Sequence, residues 1–372
     1  MIYLDYTATT PPDNEIIELY SRVSKEFFGN FTSINRIGQK SDFMINKCKN
    51  EILNILKINN SDIIFTSNAT EANNIAILGY LKKYKQGKII TTRIEHPSVY
   101  EVFRQLESVG FNVVYLDCDK NGIINLETLK KEIDKDTLLV SVMWVNNIIG
   151  AVEPIGEVID ILKDYPKCRL HVDCVQGLCK IDPKFNLDEV DFITMSAHKI
   201  YGPKGIGALI YKKNIEIGNI MYGSNAQNGL KPGTIDVALV ASLTKAIKKY
   251  YPLTKEHYDY VKGLYNKIIE GIREIDGIHI NAICESPYII SMSIPKYNGE
   301  TLIHKLEEKE IYVSTGSSCS SKLKKPEKTI LEITKDVNLS TSMIRVSLSH
   351  LTTESEVDEF IRTIKEVAKW LV

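Results

Sequence analysis

Asp191-Phe-Ile-Thr-Met-Ser-Ala-His-Lys-Ile-Tyr-Gly-Pro-Lys-Gly205 decides the fold. An apolar, β-rich run ends at Ser196-Ala-His-Lys199, and a glycine- and proline-rich turn follows. Upstream, Leu170-His-Val-Asp-Cys-Val-Gln176 has the same form, a strand that ends in an acid. Asp173 and Lys199 lie 26 residues apart, room for one crossover between parallel strands. Working outward, short β-rich runs at 62–66, 88–92, 112–116, 137–144, 170–173, 190–195 and 206–211 alternate with helical patterns. Several are apolar at nearly every position, as strands covered on both faces must be. Val99, Val102, Phe103 and Leu106 form one stripe of a helix that Pro97 opens and Gly110 closes. Such alternation predicts an α/β fold with a large, mostly parallel, seven-stranded, doubly wound sheet.

The last third changes character. Tyr258, Val261, Leu264, Tyr265, Ile268 and Ile272 mark a long amphipathic helix, and short strands follow near 288–294. A closing helix opens on Thr353-x-x-Glu356, a capping box. We expect a large domain over 15–250 and a smaller α+β domain made of 1–14 and 251–372.

The 372 residues carry 46 basic and 47 acidic side chains, a net charge of −1. Neither a basic excess nor a basic stripe is present to drive nucleic-acid binding. No apolar run is long enough to span a bilayer, and Met1-Ile-Tyr-Leu-Asp5 lacks the features of a signal peptide. Seven cysteines, an odd number without a CxxC pair, argue against a disulfide framework and against a metal site. A reduced, cytoplasmic setting follows.

The ends of the predicted strands collect reactive groups, as open α/β sheets do. Lys199 can form an imine with an aldehyde cofactor if its surroundings favour the neutral amine. Asp173 can pair with a protonated ring nitrogen, though an acid at a strand end also serves as a cap. Phe65-Thr-Ser-Asn-Ala-Thr-Glu-Ala72 passes from a strand into a helix expected to begin near Glu71, where backbone N–H groups and the Thr70 hydroxyl suit an anion; ordinary capping fits the same residues. His96 ends another strand, placed for proton transfer or ring stacking. Cys319, in Val313-Ser-Thr-Gly-Ser-Ser-Cys-Ser-Ser321, lies in a polar segment unlike the setting of a packed cysteine. No Walker motif and no GxGxxG order occurs.

These segments, with Tyr3-Leu-Asp-Tyr-Thr-Ala-Thr-Thr10, Val145-Asn-Asn-Ile-Ile-Gly150, Gly229-Leu-Lys-Pro-Gly-Thr234 and Ile344-Arg-Val-Ser-Leu348, run in an order that resembles the cysteine desulfurases of the NifS/IscS type. Those belong to the class V aminotransferase group of fold-type I pyridoxal-phosphate enzymes. The resemblance implies pyridoxal 5'-phosphate held by Lys199 as a Schiff base, with His96 stacked on the ring and aiding proton transfer. It implies Asp173 at the pyridine nitrogen, and Gln176 and Asn147 at the ring hydroxyl. Ala69, Thr70, Ser196 and His198 would bind the phosphate, joined by Thr234 from a second copy, hence a homodimer. Arg345, with Asn147, would hold the L-cysteine substrate by its carboxylate. Cys319 would accept the sulfur as a persulfide and pass it to a protein acceptor, an iron–sulfur scaffold or a tRNA-thiolation relay.

The chain departs from the family pattern at Ile148, at Asn35 and through the glycine-rich stretch Gly223-Ser-Asn-Ala-Gln-Asn-Gly-Leu-Lys231. Ile148 stands where a glutamate is usual, Asn35 where a histidine is usual, and Lys231 where an arginine is usual. Two other readings therefore stay open: a different class V activity (selenocysteine lyase, β-lyase or aminotransferase) that dispenses with Cys319, and a catalytically weak scaffold for a sulfur-relay partner.

Overall fold

A computed structural model describes residues 1–295, 297–316 and 326–369 of the chain. The N-terminal strand β1 (Ile2–Tyr3) precedes the sheet that organises the molecule. That sheet comprises β2 (Ser61–Thr66), β3 (Lys88–Thr92), β4 (Asn112–Leu116), β5 (Thr137–Met143), β6 (Arg169–Asp173), β7 (Phe192–Ser196) and β8 (Gly207–Lys212). Their order is β2-β8-β7-β6-β5-β3-β4, and only β8 runs against the rest. The seven-stranded, mostly parallel sheet expected from the sequence is thus present, with strand ends displaced by one or two residues.

The apolar runs reflect burial on both faces. Ile63, Phe65, Ile90, Val140, Val142, Val172, Ile193 and Ile210 turn to one core, which includes Ile45, Ile52, Val240 and Ile247 from helices. Their neighbours Ile64, Ile89, Leu139, Phe192 and Leu209 turn to the opposite core, against Val99, Phe103 and Leu106 of the helix Pro97–Ser108. Each such side chain contributes about 1.5–3 kcal/mol on burial. A strand of alternating polarity would strand polar groups in one of these cores.

A separate core gathers around β9 (His279–Ala282), β10 (Ile289–Ser293) and β12 (Met343–Ser347), which pair antiparallel in the order β12-β10-β9. The helices Thr254–Arg273 and Glu354–Lys369 cover them, and Leu4 joins this core. The short β11 (Ile311–Tyr312) pairs parallel with β1. The expected capping box forms: Thr353 N–H donates to Glu356, and Glu356 N–H returns to the Thr353 hydroxyl. Among the described residues no helix is long and apolar enough to cross a membrane.

Candidate active site

Six of the seven sheet strands point the same way, so their carboxyl ends share one edge, and a cavity of about 330 Å³ opens there. Ala69 and Thr70 follow β2, His96 follows β3, and Asn147 follows β5. Asp173 and Gln176 lie at the end of β6, and Ser196, His198 and Lys199 at the end of β7. Arg345 enters from β12, and Thr7 and Ala8 also line the cavity. Ten of the sequence-predicted residues thus meet in one cavity. Thr234 does not: it is exposed and lies outside the cavity lining. Cys319 falls outside the described residues; Gly316, just before it, does line the cavity.

Lys199 stands in a short 3-10 turn, Ala197–Lys199, immediately after β7 rather than on the strand itself. Its ammonium donates to the carbonyls of Thr7 and Ala8, at 2.7 and 2.8 Å. Burial, then the Arg345 charge, lowers its pKa to about 8, against the pull of Asp5 and Asp173. A tenth or so of a lysine at that value is free amine at neutral pH, enough to attack a carbonyl.

Asp173 is buried, and β6 pairs parallel with β7 so that Asp173 registers with Thr194. One carboxylate oxygen accepts from Asn73 Nδ2 at 2.9 Å and the other from the Val175 N–H at 3.0 Å. His96 caps the helix Pro97–Ser108, its Nδ1 accepting the Ser98 N–H. Burial lowers the His96 pKa despite Asp173, with Lys199 and Arg345 acting in the same direction.

The helix Ala69–Asn74 begins two residues earlier than expected. Its cap, Asn68, accepts the Glu71 N–H, and Glu71 turns back to the Ser67 N–H. Gly207 lets this turn approach β7: a Cβ there would sit 2.7 Å from Asn68 C and 2.7 Å from Met195 O. Ser196 Oγ is buried without a partner, beside Thr70 and His198 in the same lining. An unsatisfied buried hydroxyl next to a helix N-terminus is suited to an anion.

Arg345 is 3% exposed. Nη2 donates to Asp5 at 3.0 Å and Nη1 to the Asn147 carbonyl at 2.9 Å, while Nε is buried and unpaired. A guanidinium with a free donor at a cavity wall can take a carboxylate, in competition with Asp5.

Residue patterns gave no notice of Asp5, Asn73, Ser98 or Lys180. Lys180 is buried, donates to Gln176 Oε1 at 2.7 Å, and burial lowers its pKa to about 7. Gln176 Nε2 in turn donates to the Thr7 carbonyl at 3.1 Å. A single charge, Lys180, in the otherwise uncharged and mostly apolar run from Cys174 to Ile181 was the available signal.

The departures have local partners. Ile148 is buried with Ile149, Ala151, Ile330 and Met343, and a Cβ at Gly316 would meet it at 2.9 Å. Asn35 caps the helix Arg36–Leu56 by accepting the Ile37 and Gly38 N–H groups. Lys231 pairs with Glu71 at 2.9 Å, against the turn at the cavity edge.

The chain is similar over nearly its whole length to known proteins. Residues 2–360 match the family described as Aminotransferase class-V. A "NifS/IcsS protein homolog" of Lactobacillus delbrueckii subsp. bulgaricus is 37% identical, over 99% of this chain and 97% of its own. A "Cysteine desulfurase IscS" of Neisseria meningitidis serogroup C is 35% identical, over 98% and 91%. A solved "NIFS-LIKE PROTEIN" superposes with a TM-score of 0.91 at 31% identity, covering 99% of both chains.

Proposed function

This chain belongs to the aminotransferase class-V family, and we propose that it is a pyridoxal-phosphate-dependent cysteine desulfurase, converting L-cysteine to L-alanine. The observation that carries the reading is one cavity holding a lysine of lowered pKa, a buried aspartate and an unsatisfied buried hydroxyl at a helix start. Full-length similarity to proteins named as cysteine desulfurases supplies the reaction class.

The residues fit the cofactor. Lys199 would hold it covalently, Asp173 would pair with the ring nitrogen, and Gln176 and Asn147 would approach the ring hydroxyl. Ala69, Thr70, Ser196 and His198 would take the phosphate; the orphaned Ser196 hydroxyl is the group such an anion satisfies. Bound there, pyridoxal phosphate supplies an electron sink for negative charge developing at the substrate α-carbon.

The protein's own groups do the rest. Arg345 binds the substrate carboxylate and, with Asn147, fixes its orientation. Lys199 Nζ would serve as the base that removes the substrate α-proton and returns it. His96 Nε2 moves a proton on the same face of the cavity. The Cys319 thiolate attacks the substrate sulfur: an S–S bond forms, the substrate C–S bond breaks, and its electron pair leaves with the alanine carbon framework. Cysteine plus a thiol thus yields alanine plus a persulfide without an external oxidant. The persulfide then passes to a protein sulfur acceptor in the cytoplasm.

We take 15–250 as the cofactor domain and 1–14 with 251–372 as the smaller domain that carries the Cys319 segment. A homodimer accounts for Thr234 lying outside its own cavity, since a second copy can bring it to the phosphate.

The test is incubation with L-cysteine, quantification of alanine, and mass analysis of the Cys319 peptide. One added sulfur on that peptide and stoichiometric alanine are expected. Alanine formation that survives Cys319→Ala would instead favour a class V reaction without a persulfide.

A further inference from the structure

We propose that Asn73 is a positioning residue that ties Asp173 to His96 and locks the His96 proton on Nε2. The inference rests on the reading of Asp173 and His96 as groups that touch the cofactor. It concerns a hydrogen-bond chain buried between the helix Ala69–Asn74 and the sheet.

Asn73 is fully buried and makes four side-chain hydrogen bonds. Nδ2 lies 2.9 Å from Asp173 Oδ2 and 2.8 Å from Ser98 Oγ. Oδ1 lies 2.6 Å from Thr194 Oγ1 and 3.2 Å from His171 Nε2. His171 Nδ1 meets Ser141 Oγ at 2.7 Å, and Ser98 Oγ meets His96 Nδ1 at 2.8 Å.

The direction of the bonds at Asn73 and onward to His96 follows from one end. A carboxylate only accepts, so the Asn73 atom facing Asp173 is the amide nitrogen. Its second N–H then donates to Ser98 Oγ, which leaves the serine proton for His96 Nδ1. That nitrogen also accepts the Ser98 backbone N–H at 3.2 Å. Two donors converge on Nδ1, so the proton of the neutral ring resides on Nε2. On the other side, Asn73 Oδ1 accepts from Thr194 and from His171 Nε2–H. Burial lowers the His171 pKa to about 4, so the ring is neutral and its Nδ1 accepts the Ser141 hydroxyl.

From Asp173 through Asn73 and Ser98 to His96, no bond can be reversed without setting two donors or two acceptors face to face. An asparagine suits the position because it gives two protons and takes two at once. Aspartate, of nearly the same shape, gives none when ionised and at most one when it shares a proton with Asp173.

The first test uses the wild-type holoenzyme with ¹⁵N-labelled histidine and long-range ¹H–¹⁵N correlation, His96 being assigned by comparison with His96→Gln. A proton on Nε2 and a bare Nδ1 are expected at neutral pH; a proton on Nδ1 overturns the proposal. The second test compares variants. Asn73→Asp should raise the dissociation constant for pyridoxal phosphate on the order of tenfold to a hundredfold. It should also move the acidic limb of the kcat/KM pH profile upward by about one unit, because a carboxylate oxygen facing Ser98 draws the serine proton away from His96 Nδ1 and so favours imidazolium. Ser98→Ala removes only the donor at the His96 end. Its acidic limb should also rise, its cofactor affinity should stay within about twofold, and Ser98→Thr should restore the limb. An Asn73→Asp protein with native circular dichroism and unchanged cofactor affinity would refute the tie to Asp173. An acidic limb indifferent to Ser98→Ala would refute the tie to His96. If wild-type protein neither binds pyridoxal phosphate nor forms alanine, the functional reading fails instead, so the two failures are distinct.

Discussion

Gly207→Ala isolates the close approach on which the anion-binding edge depends. Gly207 begins β8 and registers with both Ser196 of β7 and Thr66 of β2. The added methyl would lie 2.7 Å from Asn68 C, 2.7 Å from Met195 O and 3.0 Å from Ala69 N. Comfortable separations are near 3.5–4.0 Å, so the backbone must yield by about 0.5–1 Å. None of the three atoms is the end of a flexible side chain. Gly207 is not among the glycines of positive φ, so alanine meets no conformational penalty and the cost is steric. Overpacking at its upper range costs about 3 kcal/mol. The stiffer unfolded chain offsets about 0.4–1 kcal/mol, and about 2 kcal/mol remains. An unfolding entropy of about 2.1 cal/mol/K per residue over 372 residues converts this to a loss of about 2–3 °C in Tm. Displacing Ala69 and Thr70 by the same fraction of an ångström should also weaken pyridoxal-phosphate binding by about tenfold, the worth of one good hydrogen bond. Calorimetry of the cofactor-free protein and a fluorescence titration read the two effects. A melting point unchanged to within about 0.5 °C together with unchanged cofactor affinity would refute the packing argument.

Three further outcomes follow from the site. Lys199→Ala should abolish borohydride-trappable cofactor and lower alanine formation by at least about a thousandfold, as loss of a covalent and proton-transferring group does. The rate at which wild-type protein takes up pyridoxal phosphate should climb with pH and level off above about 8, where the Lys199 amine is mostly neutral; a plateau only beyond pH 10 would contradict the burial argument. Glu153 is buried, and burial raises its pKa to about 8, so the folded state holds a proton that the unfolded chain releases at the ordinary carboxyl pKa. Stability from this group is therefore lost as pH rises from about 4.5 to 8. Glu153→Gln should melt higher than wild type at pH 8, by about 2–4 °C, with the gap closing toward pH 5 in thermal denaturation.

The chain sequence by itself determined the sheet and the reactive side chains at its edge. Runs such as Ile63-Ile-Phe65 and Leu139-Val-Ser-Val142 tolerate only a strand buried on both faces, and parallel strands bring their ends, with Asp173, Ser196 and Lys199, to one rim. These are local and periodic signals, and they survive in one dimension. Tertiary structure decided what surrounds those groups. Asp5 reaches Arg345 across 340 residues, Asn73 reaches Asp173 across 100, and Lys199 finds the Thr7 carbonyl across 192. None of these contacts has a periodicity, because each joins elements whose separation in sequence is unrelated to their separation in space. Desolvation is likewise collective: the lowered pKa of Lys199 comes first from the number of atoms packed around it and only then from any neighbour that can be named.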